Sequence, residues 1–323
     1  MSQTQQQSHA GAVVADSEMG TGLHDGLPAR PPSTSTVAVA TRQLGLGAKR
    51  RKTISDRAHT FGLVVSIVII VGFPLAGLLL PVPYSPITPD IDSIALPPSW
   101  QHWFGTDESG FDVFSRTVSA AGRDVPLAVG ATLVALVIGV PFGLAATQGW
   151  GGDFIMRIVD AFSALPIIVI AVVFVQVLGG SALNILMAIA LIGIPRFIRI
   201  TRSSAITLRS ARFVEAAVAL GATPIRVAIS HVLRNSYGVV LVQATLTAAA
   251  GIGTIAALNF LGIGVKPPEP TWGSMINSGT AMLLRGEWWA AAFPTLAIII
   301  FIGALNSAGN SIERRMESTG SRS

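Results

Sequence analysis

Residues 161–195 read AFSALPIIVIAVVFVQVLGGSALNILMAIALIGIP, 35 residues without one Asp, Glu, Lys or Arg. About 20 apolar residues suffice for a helix to cross a bilayer. This stretch therefore holds two helices, separated at Gly179-Gly180-Ser181. Working outward, uncharged stretches also occupy 58–89, 125–152, 235–265 and 288–312. The pattern predicts six spans, at about 61–81, 126–148, 158–178, 182–200, 237–262 and 289–310. In lipid the backbone must satisfy its own hydrogen bonds, which selects helices. The alternating polarity of barrel strands is absent from these runs. Pro141 and Pro166 read as tolerated kinks inside the second and third spans.

Composition points the same way. The chain has 323 residues, 50% hydrophobic and only 12% charged, with a mean hydropathy of +0.61. A soluble domain carries roughly 25% charged residues, so too little polar surface is left here to cover a water-soluble globule. With no cysteine, the chain has no disulfide framework, thiolate metal site or cysteine nucleophile. The five histidines, His9, His24, His59, His102 and His231, show no metal-ligand spacing.

Charge predicts orientation. Residues 42–57 carry Arg42, Lys49, Arg50, Arg51, Lys52 and Arg57 against Asp56. The segment after the first span reverses this, with Asp90, Asp92, Asp107, Glu108, Asp112 and Asp124 against Arg116 and Arg123. Residues 196–234 hold seven arginines against Glu215 alone, and 263–288 are neutral. The positive-inside rule then puts both termini and the arginine-rich loop in the cytoplasm. An even number of spans agrees.

Residues 1–57 are rich in Gln, Ser, Thr, Gly, Ala and Pro without an apolar period, and are expected to be a disordered cytoplasmic extension. No secretory signal peptide is expected, because the first apolar run begins some 60 residues in. Lys49-Arg50-Arg51-Lys52 is read as an anchor flanking the first span rather than a nucleic-acid patch. The chain then divides into 58–118 (first span and external segment), a core at 119–312, and a cytoplasmic tail at 313–323.

The loop at 196–235 is too long for a plain connection. RSARFVEAAVAL (209–220) reads as a helix stopped by Gly221, which can take the positive φ that closes a helix. Thr223 and Pro224 are good N-cap and first helical residues for a second helix. Arg212 and Glu215, three apart, are expected to be able to pair on one face. Helix, glycine corner and capped helix make a shape that can press against a partner.

At these residues a resemblance becomes specific. VEAAVALGATPIRVAISHVLRNS (214–236) resembles the EAA loop of importer-type ABC permeases, with Glu215, Ala216, Ala217 and Gly221 in the motif positions. His231, Val232, Leu233 and Asn235 match its closing turn, where Arg234 stands in place of the usual Pro. HWFGTDESGFDVFSR (102–116), MRIVDAFSALP (156–166) and FLGIGVKPPEPTWGSMI (260–276) are similar to signatures of the dipeptide/oligopeptide branch of that family. Phe111 replaces a usual Arg, Ile255 sits where Glu is common, and 119–125 depart from the usual Gly-Ala-Arg approach to the second span.

The resemblance implies an all-α membrane protein with the type I ABC importer permease fold and a cytoplasmic coupling-helix loop at 209–235. It implies a non-catalytic subunit in the bacterial cytoplasmic membrane, paired with a sister permease in a heterodimer. Two ABC ATPase subunits and an external substrate-binding lipoprotein complete the expected complex. ATP and Mg would be bound by those partners, since the chain itself lacks G-x-x-x-x-G-K-[ST] and is expected to hold no cofactor, metal or nucleic acid. Arg212, Glu215, Ala216, Ala217, Gly221, Ala222 and Pro224 are the expected ATPase-coupling residues. Dipeptides or oligopeptides are the implied cargo, with nickel chelates, glutathione or another small solute as the alternative.

Read without the resemblance, the spans lack ionisable residues away from their ends. That argues against a self-powered carrier or channel working alone. Gln243, Thr247 and Asn259 lie on one predicted span and are the candidates for lining the pathway, with interhelical glue as the competing reading. Arg157 and Asp160, one turn apart, are expected to form a structural pair.

Overall fold

A computed structural model describes residues 61–79 and 81–320. The expected extension at 1–57, with its Lys49–Lys52 cluster, lies outside the described residues. The described chain is helical. We number its helices α1 (Phe61–Leu79), α2 (Val113–Ala145), α3 (Gly149–Ser163), α4 (Ile167–Leu178), α5 (Ala182–Arg209), α6 (Arg212–Ala219), α7 (Pro224–Phe260), α8 (Trp272–Leu283) and α9 (Trp289–Gly320).

Five of these, α1, α2, α5, α7 and α9, are long and apolar enough to cross a bilayer, and the bent pair α3–α4 makes six if it counts as one span. The third span departs from expectation. Residues 158–178 are not one kinked helix: α3 and α4 meet at 87°. Pro166 has ψ 130° and stands outside α4 as its N-cap. A proline lacks the N–H that would continue the ladder and pushes the residue before it out of the helical region. Pro141, by contrast, is carried inside α2.

Four further boundaries move. α2 starts 13 residues before the predicted span because the Asp112 carboxylate caps it, accepting from Ser115 N at 2.7 Å. The segment 263–288, which joins the last two predicted spans, contains α8, whose Thr271 and Ser274 form a reciprocal capping box. The 40-residue loop at 196–235 is mostly helix: α5 carries Arg196, Arg199, Arg202 and Arg209, and α7 runs from Pro224 without a turn at Arg234. Arg keeps the backbone N–H that Pro would lack, and the chain crosses 227–233 as a π-helical stretch. The expected tail continues α9 as far as Gly320.

The core lies where α2, α5, α7, α8 and α9 meet, around Ala128, Ile185, Ile252, Leu258, Trp272 and Phe301. α2 and α5 share the most extensive interface. Ala135, Gly139 and Gly143 form a small-residue stripe there: a Cβ on Gly139 would lie 2.5 Å from Phe197 Cβ, and one on Gly143 2.6 Å from Thr201 Cβ. Lipid offers no hydrophobic drive between helices, so such close backbone approach supplies the packing instead. Only 11% of the apolar window of α1 is buried within the protein, which leaves the rest for lipid or another subunit.

Candidate coupling elbow and the acidic end

The elbow is built locally. Ala211, with ψ 139°, breaks the path from α5 into α6. Val214 is the buried side chain of α6 and packs with Ala205, Val227 and Val232. The helix then closes as a Schellman motif: Gly221 N donates to Val218 O at 2.9 Å and Ala222 N to Ala217 O at 3.0 Å. Gly221 holds φ +86° with open space around it, so the glycine serves the backbone conformation alone. Thr223 Oγ1 accepts from Arg226 N at 3.4 Å and Pro224 takes the first helical position.

The outer edge of this corner carries Arg212, Glu215, Ala216, Val218, Leu220 and Ile225, all exposed. Leu220 is 89% exposed and Ile225 72%, too apolar for an aqueous tip with nothing to meet. Ala217 and Ala222 are half-buried behind them. Arg212 and Glu215 form no ion pair among the described residues, so the expected pairing is not made. Their charges face outward on a helix of eight residues.

Three of the other arginines, Arg199, Arg202 and Arg209, make structural bonds that the sequence did not disclose. Arg202 Nε donates to Ala146 O at 2.9 Å and Arg209 Nη1 to Thr147 O at 3.2 Å. Cations there complement the carbonyl end of α2. Asp160 pairs with Arg199 at 2.8 Å, not with Arg157 as expected. The partner sits 39 residues away, beyond the reach of helical spacing.

At the opposite, acidic end, residues 81–112 form a lobe pinned by Trp289, and Trp272 pins the adjoining turn of α2. Trp289 Nε1 donates to Thr106 O and Trp272 Nε1 to Thr117 O, each at 3.0 Å. His102 Nδ1 lies 2.9 Å from Asp112 Oδ1. The Arg116 guanidinium lies 4.0 Å over the ring of Phe111, a cation–π contact made by the residue that departs from the motif. Burial pushes the Asp107 carboxyl above the ordinary range, partly offset by its bonds from Phe111 N and Ser109 N. Behind the lobe a cavity of about 500 Å³ is lined by Arg123, Glu269, Pro126 and Leu186 among others. Arg123 Nη1 and Glu269 Oε2 stand 2.6 Å apart at its rim.

Of the pathway candidates, Gln243 Nε2 donates to Thr247 Oγ1 at 3.1 Å. Asn259 is buried: it donates to Ile255 O at 2.9 Å and accepts from Val265 N at 2.7 Å, which fixes the turn after α7. Thr247 is buried as well.

Residues 118–318 match the profile of the binding-protein-dependent transport system inner membrane component. The chain belongs to that family. This permease is 32% identical over 270 residues to the di/tripeptide transport system permease protein DppC of Pseudomonas aeruginosa, covering 80% of this chain and 89% of the relative. It is 35% identical over 234 residues to the glutathione transport system permease protein GsiD of Escherichia coli, covering 71% and 76%. It is 35% identical over 260 residues to the dipeptide transport system permease protein DppC of Alkalihalophilus pseudofirmus, covering 79% and 84%. A structure of the MetNI methionine ABC transporter in inward-facing conformations matches with TM-score 0.52 and 18% identity, covering 62% of the permease and 96% of that chain. The fold is that of the type I importer permeases. The permease is thus a non-catalytic, multi-pass component of the inner membrane.

Proposed function

We propose that this permease forms one half of the translocation pathway of an ATP-driven importer for dipeptides and short oligopeptides. The elbow carries this reading. Its glycine-closed corner, apolar tip and exposed Glu215 suit insertion into a groove on a nucleotide-hydrolysing partner. Ala216 and Ala217 let α6 sit deep in that groove, and Arg212, Gly221, Ala222 and Pro224 set its charge and angle. Gln243, half-buried on α7, is assigned to the pathway wall, with Thr247 and Asn259 buried behind it.

In this reading a sister permease completes a heterodimer, and two ATPase subunits bind ATP and Mg, in keeping with a sequence that carries no G-x-x-x-x-G-K-[ST]. An external lipoprotein delivers cargo. The charge asymmetry of the sequence supports a cytoplasmic place for the elbow and both termini. The peptide assignment rests on the di- and tripeptide permeases among the relatives. The glutathione relative supports a second reading within the same class, since glutathione is itself a small peptide.

The test is uptake by proteoliposomes holding the permease with its sister, ATPases and binding protein. Labelled dipeptide should enter only with ATP inside. Uptake by the permease alone would refute the ATP-driven reading, and uptake of glutathione but not dipeptide would move the cargo.

A further inference from the structure

α3 serves neither the core nor the elbow, and its residues sort into distinct edges. Gly152 and Val159 are buried, the latter against Ala146 of the α2 end and Ile198 of α5. On the far edge Trp150, Phe154 and Ile158, spaced four apart, are 53–85% exposed, with the Trp150 and Phe154 rings stacked at 6.1 Å. Asp153, Arg157 and Asp160 occupy a third edge at right angles to these. A helix on an aqueous surface turns its polar residues outward. This one turns apolar residues outward and confines charge to one flank.

Depth follows from its pins. Asp160 pairs with Arg199 at 2.8 Å and Asp153 with Arg202 at 3.4 Å, both on α5. At 1.5 Å per residue those arginines stand about 26–30 Å along α5 from Ala182, close to the roughly 30 Å of a hydrocarbon core. α3 therefore sits where the core ends, and its axis is turned 87° from α4.

We propose that α3 is an in-plane helix of the bilayer surface, with its Trp150–Phe154–Ile158 edge immersed in lipid at the headgroup–acyl boundary. The occupant is lipid because the edge has the aromatic and aliphatic composition of that boundary, and because Arg157 lies beside it, placed for a headgroup phosphate. The orientation proposed above makes this the inner leaflet. α5 continues from these pins into the elbow, so lipid contact on α3 steadies the helix end that delivers α6.

The chain has no cysteine, so single labels are unambiguous. Phe154→Cys and, separately, Ile158→Cys would carry a nitroxide in the assembled transporter in bilayers. Oxygen should broaden both signals more than a water-soluble nickel chelate does. Preferential broadening by the chelate would place the edge in water, and protection from both agents would place it under the sister subunit. Either result overturns the proposal. The readout does not depend on cargo or ATP, so its failure is distinct from failure of the importer reading.

Discussion

The Asp124 carboxylate accepts a hydrogen bond from the backbone N–H of Trp272 at 3.0 Å, joining the middle of α2 to the first turn of α8 across 148 residues. The first N–H groups of a helix have no partner inside it, and here one of them is satisfied by a side chain from a different helix. Trp272 adds its indole bond to Thr117 O, and its ring is fully buried. This pair of contacts sets where α8 stands and closes the acidic end of the core.

Asp124→Ala should therefore destabilise the permease by about 1–3 kcal/mol, the cost of leaving a buried donor unpaired. Asp124→Asn keeps an acceptor and should lose less. Thermal unfolding of the purified protein in detergent ranks the two, and equal losses would contradict the capping role.

Gly77 of α1 rests on the Val118 carbonyl oxygen and Gly122 of α2, so any Cβ there collides with backbone. Gly77→Val should push α1 off α2 at a cost of about 1–3 kcal/mol. Protease sensitivity of the α1–α2 segment is expected to rise, and an unchanged digestion pattern would be inconsistent with this packing.

Gly221 has positive φ and open surroundings. Gly221→Ala should cost about 1 kcal/mol through backbone conformation alone, and Gly221→Asn less, because Asn tolerates that region. Coupled uptake should follow the same order, measured as peptide moved per ATP hydrolysed.

Glu215→Lys reverses the charge on the exposed face of α6 without touching the buried Val214. Assembly should survive while ATP hydrolysis separates from uptake. Full transport by this variant would remove Glu215 from the coupling surface.

Asp107 titrates above its ordinary value because it is buried. A raised carboxyl in the folded state favours the protonated form. Its contribution to stability is thus fully present below the unfolded value, about 3.9, and is lost as pH rises through the folded value. Asp107→Asn, neutral at every pH, should raise the melting temperature at pH 7.5 and give a smaller gain near pH 4. A gain independent of pH would count against this account.

Local signals were legible in the sequence wherever the physics is local. The six predicted spans and the Gly221–Thr223–Pro224 corner depend on composition and on neighbours a few residues away, and they reappear as five long apolar helices, the bent pair α3–α4 and the corner between α6 and α7. The break at Pro166 was visible as a proline but not as an angle of 87°. A helix can carry Pro141 and stop at Pro166, and packing decides which.

The sequence by itself determined that this chain lives in a membrane as a helical bundle with an arginine-rich end and a structured elbow. Both follow from local physics: uncharged stretches of bilayer length must become helices in lipid, and the caps stand within a few residues of the ends they close. Tertiary structure alone decided the partners: Asp160 with Arg199, Asp124 with the α8 terminus, Arg209 with the end of α2, and Asn259 with the turn at Val265. Most of these pairs bridge tens of residues, and helical periodicity reaches only three or four.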